Sequence, residues 1–241
     1  MTTSKEKENF PGEVYAIGLY AVIVMLLMMQ PDFGMTFVIT CIAITQIFMA
    51  GFRFKYLIIV GVAGVVALFI VYNSFSHVQS RIDRFLDPSS GNTYQVDKSL
   101  ESFKSGGLLG VGPGQGTVKL RLPDAHADFI FAVSGEELGF IFTIILAGIY
   151  LFIVLHGFKK IENSEDMFSI LACGGLLTMI GLQALIHMGS SLHILPAKGM
   201  TLPFISYGGT SLLSVGFTMG AVLSLTRYKA RKRIVSKKVH R

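Results

Sequence analysis

The chain has 241 residues, of which 51% are apolar and only 15% are charged. A soluble domain of this length carries about a quarter charged residues, so the composition argues against a water-soluble globule and for lipid as the solvent. The net charge of +6 does not indicate a nucleic-acid partner, because the basic residues sit between apolar runs and in a C-terminal tail, where a membrane protein places them.

Residues 1–13 are polar and read as a cytoplasmic segment with no cleavable signal peptide. Six apolar runs follow, at roughly 14–29, 34–51, 56–73, 129–156, 167–188 and 204–226. Most approach or exceed the 17–20 residues that a helix needs to cross about 30 Å of hydrocarbon. Open strand edges find no partner in lipid, so the runs predict helices. The expected fold is an all-α, polytopic membrane bundle over 14–226, followed by a basic cytoplasmic tail over 227–241. Cys41 and Cys173 lie inside apolar runs and read as small buried hydrophobes.

Orientation follows from Lys and Arg. Eight of the 21 fall in the tail, which places the end of the sixth run in the cytoplasm. Alternating backwards puts the N-terminal segment, the Arg53–Lys55 turn and the Lys159–Lys160 turn inside as well. The 74–128 loop then lies outside, with six basic and six acidic residues. A loop of that length is usually functional or disordered, and this one is not low-complexity. Its glycine cluster, GGLLGVGPGQG at 106–116, permits tight turns and close backbone approach. The cluster lacks the Lys-Ser/Thr of a P-loop, and its membrane context rules out a dinucleotide fingerprint.

The residues able to do chemistry cluster where this loop meets the fourth run, in PDAHADFIFAVSGEELGF. Asp128 precedes an apolar run, as a helix N-cap does. A carboxylate there is also placed to take a proton from a lipid-linked substrate. His126 reads as a polar interface residue. Glu136 and Glu137 lie about 12–14 Å deeper if the helix is continuous, about 80° and 180° around it from Asp128. At that depth glutamates face the bundle interior or a wet cavity; a buried interhelical contact and a substrate-side role both remain open. Arg81, Arg84, Lys98, Lys119, Arg121 and Lys198 are expected outside. Each alone reads as solvated surface; as a set beside a carboxylate they suit a pyrophosphate. In LPAKGMTLPFISYGGTSLL (195–213), Pro196 and Pro203 are able to end or re-enter a helix, and Gly208–Gly209 to admit a close helix neighbour. By itself that stretch reads as architecture.

QPDFG (30–34), RIDRFLDPSSGNTYQVDKSL (81–100), GGLLGVGPGQG, LPDAHADFIFAVSGEELG (122–139) and LPAKGMTLPFISYGG (195–209) resemble, in the same order, the blocks of the FtsW/RodA/SpoVE (SEDS) family of peptidoglycan glycosyltransferases. The resemblance runs from about residue 10 to 228, and LPDAHADF, GEELG and AKGMTLPFISYGG favour the FtsW branch over RodA. It implies a ten-helix fold of which this sequence holds the last six, as a gene fragment or one piece of a split gene would. Ala127 stands where the family commonly has Thr or Ser.

The resemblance also implies a function: polymerisation of lipid II into septal glycan strands during cell division, at the outer face of the bacterial cytoplasmic (inner) membrane. Asp128 matches the family's essential Asp and takes the role of general base. Arg81, Arg84, Lys119, Arg121 and Lys198, with Glu136 and Glu137, are the expected substrate-side residues, and undecaprenyl pyrophosphate is the leaving group. A divalent cation, Mg²⁺ or Mn²⁺, is compatible with the family, but no metal ligands are legible. The implied partners are a cognate class B penicillin-binding protein and other divisome proteins. Two other readings use the same bundle: a lipid II flippase, which needs no base at Asp128, and a non-catalytic divisome-binding fragment.

Overall fold

The computed structural model describes residues 12–30, 32–51, 72–73, 79–80, 83, 87, 93–162, 164–196 and 199–239. The described elements are α1 (Gly12–Met29), α2 (Phe33–Met49), α3 (Tyr94–Gly106), a 3₁₀ turn (Val118–Arg121), α4 (Ile130–Glu162), α5 (Met167–Ser191) and α6 (Gly209–Val239). No strand occurs among the described residues. Helices α4, α5 and the 209–226 part of α6 are long and apolar enough to cross a membrane, and α1 and α2 are shorter apolar helices. The expected third run, 56–73, lies almost wholly outside the described residues. The chain is thus a polytopic α-helical membrane protein. Large apolar side chains such as Ile145, Phe152 and Leu155 stay exposed along α4, as a lipid-facing helix requires.

The chain divides into two compact units. The first comprises Met1–Val60, Val154–Met179 and Phe217–Arg241. Asp32 starts α2 by accepting the Met35 amide at 3.0 Å, and Asp166 starts α5 by accepting the Ser169 amide at 3.1 Å. Tyr20 and Thr40 share a hydrogen bond between α1 and α2 at 2.9 Å. The core gathers Ile161, Cys173, Leu177 and Val222, with Met49 and Phe158 against it. Small residues set the spacing. A Cβ on Gly174 would lie 2.3 Å from the Met49 sulfur, and one on Gly157 would lie 2.6 Å from Leu177. Lipid tails are as apolar as leucine, so packing of this kind, not apolar burial, holds helices together in a membrane. At Gly208–Gly209, the expected close-approach pair, a Cβ on Gly208 would lie 3.3 Å from the Ser211 side chain, and none of the described residues lies within 4 Å of one on Gly209.

The second unit comprises Gly61–Ile153 and Ile180–Gly216. The long loop has structure of its own. In α3, Val96, Ser99, Ser102 and Gly106 are buried. Ser99 donates to the Ser191 carbonyl at 2.7 Å, tying α3 to the end of α5. Phe103 meets Phe131 edge-on at 5.7 Å, and Gly135 leaves room for its ring. Leu122, Phe129 and Ala132 close the cluster beneath.

Helix α4 is not continuous. Gly139 sits at φ 83°, ψ 173°, a conformation that is essentially open to glycine alone. The break frees two amides and two carbonyls that helical bonding would have paired, and the glycine loop pairs all four. Phe140 and Ile141 donate to Gly107 and Leu108 at 2.9 and 3.3 Å. Val111 and Gly112 donate to Glu136 and Glu137 at 3.0 Å each. Irregular backbone is tolerated at membrane depth only when protein satisfies it, and residues 107–112 do so. A Cβ on Gly110 would stand 2.2 Å from the Glu137 carbonyl, so the docking needs glycine.

Candidate active site

Two carboxylates of the second unit lie eight residues apart and have opposite surroundings. Glu136 is fully buried. Its Oε1 accepts the amides of Thr117 (2.7 Å) and Val118 (2.8 Å), and its Oε2 accepts the amide of Lys119 (2.9 Å). It therefore caps the Val118–Arg121 turn from a distance, supplying the acceptor that helix N-terminal amides lack. Its neighbour Glu137 forms an ion pair with Lys119. Both glutamates are thus bonded within the protein and fasten the glycine-rich loop to α4.

Asp128 is built differently. It ends a turn in which Asp124 takes a left-handed φ of 49°. The Ala127 and Asp128 amides both donate to the Asp124 carbonyl, at 3.0 and 2.9 Å. Helix α4 begins after it, with the Ala132 and Val133 amides on the Phe129 carbonyl. The N-cap expectation is therefore corrected: Phe129 takes that place through its backbone. The Asp128 carboxylate accepts no hydrogen bond from any described residue, and it is only half-buried. Burial holds it above the ordinary carboxylate range, the nearby Asp124 charge adds to this, and His126 opposes it.

The opposite wall is the irregular stretch between α5 and α6. A Cβ on Gly199 would meet the Asp128 Oδ2 at 2.6 Å, so glycine alone admits this chain to the carboxylate. Ser206 donates to the Ala127 carbonyl at 2.6 Å, and the Tyr207 amide donates to the His126 carbonyl at 2.9 Å. The His126 and Tyr207 rings meet edge-on at 5.2 Å. Behind, Nδ1 of the buried His187 lies 2.6 Å from the Met200 carbonyl; since a carbonyl only accepts, Nδ1 carries the proton. The HAD turn and the GMTLPFISY stretch thus meet at Asp128. Sequence reading gave Gly199, Ser206 and His187 no role, and the juxtaposition of the two motifs was the signal that the chain order concealed.

The expected cations divide. Lys119 is paired with Glu137. Arg121 is exposed, its carbonyl accepts the Tyr94 hydroxyl at 2.9 Å, and its charge acts on Glu101. The Glu101 carboxyl is held below its ordinary range first by its hydrogen bond from Lys98, with Arg121 and Lys104 adding to the effect. Arg81, Arg84 and Lys198 lie outside the described residues. Among the described residues no group of three or more His, Cys, Asp or Glu side chains is placed to hold a metal ion.

Apolar spanning helices with a half-buried carboxylate just before one of them define a polytopic membrane protein. The model of the FtsW/RodA/SpoVE cell cycle proteins matches residues 2–231, and the chain belongs to that family. It is 41% identical over 220 residues to a protein of Caulobacter vibrioides named probable peptidoglycan glycosyltransferase FtsW. Proteins of the same name from Coxiella burnetii and Geobacter sulfurreducens are 38% and 36% identical. These alignments cover 91%, 92% and 88% of this chain but 56%, 60% and 58% of the relatives, so the chain spans less than two thirds of their length. Among solved structures, a chain of a peptidoglycan synthase complex that coordinates polymerisation and crosslinking superposes with a TM-score of 0.70 at 25% identity, over 89% of this chain and 62% of its own. The rod shape determining protein RodA of Thermus thermophilus gives 0.58 at 26% identity, over 89% and 57%.

Proposed function

We propose that the chain contributes the reacting carboxylate of a peptidoglycan glycosyltransferase that polymerises lipid II for septal wall synthesis. The observation that carries this is Asp128: a half-buried carboxylate without a hydrogen bond from any described residue, at the junction of two motif segments. Such a group keeps its acceptor oxygens for an incoming donor, whereas those of Glu136 are taken by three backbone amides. The names of the relatives supply the substrate class.

In this reading the 74–128 loop and Asp128 face the outer side of the bacterial inner membrane, at the division site, as the density of Lys and Arg suggests. The 4-hydroxyl of one lipid-linked disaccharide attacks the anomeric carbon of another. The new bond is C4–O–C1, the bond that breaks is C1 to the phosphate oxygen, and undecaprenyl pyrophosphate leaves. The hydroxyl proton goes to Asp128, whose raised pKa brings it closer to working pH, as general-base catalysis favours. Lys119 is committed to Glu137, so Arg81, Arg84, Arg121 and Lys198 are the cations assigned to the diphosphate, which needs positive charge as it departs. A class B penicillin-binding protein is the expected partner, in keeping with the synthase complex that the chain resembles.

The test is glycan formation from lipid II in vesicles, by the chain alone and by the chain fused behind the N-terminal part of its Caulobacter relative. Glycan that is lost in Asp128→Asn supports the reading. A fusion that folds and yet only moves labelled lipid II across the bilayer sinks it in favour of a flippase.

A further inference from the structure

Ser206 is 9% exposed and uses its hydroxyl in both directions. It donates to the Ala127 carbonyl at 2.6 Å and accepts the Leu202 amide at 2.7 Å. The second bond closes the turn that Ser206 itself ends, where its amide also returns to the Leu202 carbonyl at 3.0 Å. That turn is strained. Phe204 takes φ 67°, a region that a bulky residue avoids and keeps only when its surroundings hold it. The first bond reaches the residue adjacent to Asp128. One hydroxyl therefore closes a strained turn and fastens it to the catalytic turn, and Gly199 on the same stretch abuts the Asp128 carboxylate.

We propose that Ser206 is the positioning residue for Asp128, clipping the 199–207 stretch over the HAD turn so that the carboxylate stays shielded from water. The claim gains its catalytic meaning from the proposed role of Asp128, but its physical content does not depend on it. Removing the hydroxyl leaves the Leu202 amide and the Ala127 carbonyl without their partner. It also releases the strain at Phe204. The stretch then lifts, water reaches Asp128, and the desolvation that raises its pKa relaxes. Asp124 and His126 on the same turn, and Tyr207 beside His126, are the other titratable groups that face this site among the described residues. None of them changes in the variant.

The experiment reads Asp128 directly. Dicyclohexylcarbodiimide reacts with protonated carboxyls, and labelling at Asp128 is quantified by peptide mass spectrometry across pH, on the full chain in detergent micelles. Ser206→Ala is expected to lower the midpoint by about half a pH unit, or about threefold in labelling above the midpoint. Ser206→Thr, which keeps the hydroxyl, restores the wild-type midpoint. A purely structural role lowers the thermal midpoint in Ser206→Ala and leaves the labelling curve of the folded fraction in place; that result overturns the proposal. So does a shift of equal size in Ser206→Thr. Should Ser206→Ala fail to accumulate, Ser206→Cys, with its weaker donor, is read in the same way. A chain that labels as expected but makes no glycan defeats the polymerase reading and leaves the positioning claim intact.

Discussion

Glu136 and Asp128 are both carboxylates of the same short motif, eight residues apart, and the fold treats them in opposite ways. Glu136 is fully buried, and three backbone amides converge on it. Asp128 is half-buried, and no described residue donates to it. Burial alone does not distinguish a structural acid from a reactive one. What matters is whether the protein completes the hydrogen bonding of the ionised form. Where it does, the group becomes a fastener. Where it leaves the group half-desolvated and unbonded, the neutral form gains ground and the group is ready to take a proton.

The largest effect is expected at Asp128, to which no described residue donates. Asp128→Asn is predicted to lower polymerisation about 10²–10⁴-fold, the usual loss with a general base, while the protein still folds. Asn keeps the shape and the local turn but cannot accept the proton. Glycan chains resolved by gel from labelled lipid II measure this. A rate near wild type would mean that Asp128 is not the base, and the contrast with Glu136 would lose its chemical meaning.

The bonded member should fail in the other way. Glu136→Ala strands three amides, that of Val118 buried and those of Thr117 and Lys119 part-buried, and a buried amide left unpaired costs about 1–3 kcal/mol. Partial relaxation of the loop absorbs some of this, so a loss on the order of 3 kcal/mol is expected. Glu136→Gln retains one acceptor oxygen and should lose less. Thermal unfolding in detergent gives the ranking. Activity per folded molecule should fall far less in Glu136→Gln than in Asp128→Asn. The opposite ranking would make Glu136 the reacting group.

Much of the fold was legible in the sequence, but the contrast between the two carboxylates was not. The apolar runs gave α1, α2, α4 and α5 to within a few residues at most ends, because lipid imposes length and composition on any helix that crosses it. The start of α6 was read five residues early, since Phe204–Gly208 is as apolar as a span but is held in an irregular turn by Ser206. Asp128 was singled out because a carboxylate before an apolar run is conspicuous. Its surroundings were not legible, because the described residues around it come from 199–207. Glu136 and Glu137 left a buried interhelical contact and a substrate-side role both open, because their partners, the amides of residues 117–119 and the Lys119 ammonium, come from the loop. The break at Gly139, and the loop that heals it, depend on hydrogen bonds between segments about 30 residues apart, which helical periodicity does not record.

A smaller effect tests the raised pKa of Asp128. Its folded-state value lies above the ordinary one, so the neutral carboxyl is the form that the fold prefers. The stability this contributes is fully present below the ordinary carboxylate pKa and is lost as pH rises through the folded value. Asp128→Asn stays neutral throughout. It should therefore melt higher than wild type at neutral pH and together with it in acid. Activity runs the other way and should rise through the same window as the base ionises. Paired melting and rate curves across pH check both signs; a mutant less stable than wild type at neutral pH would show that the Asp128 charge is bonded after all.

The smallest effect separates architecture from substrate contact at Lys119. Its ammonium pairs with Glu137, and both side chains keep some exposure, 23% and 17%. Exposed pairs are worth about 0.2–1 kcal/mol, and partial burial puts this one at the upper end. Lys119→Met removes the charge but not the backbone amide, which continues to donate to Glu136. The loop should therefore stay docked. The cost comes mainly from Glu137, left partly desolvated without its counter-charge, so Lys119→Met should destabilise more than the double variant Lys119→Met/Glu137→Gln. A coupling of about 0.5–1 kcal/mol in that cycle marks a fastener. A Lys119 that instead holds diphosphate predicts a different pattern: unchanged melting, a raised KM for lipid II, and no recovery in the double variant. The cycle thus decides whether Lys119 belongs with Glu136 among the residues that hold the loop, or with Asp128 among those that meet the substrate.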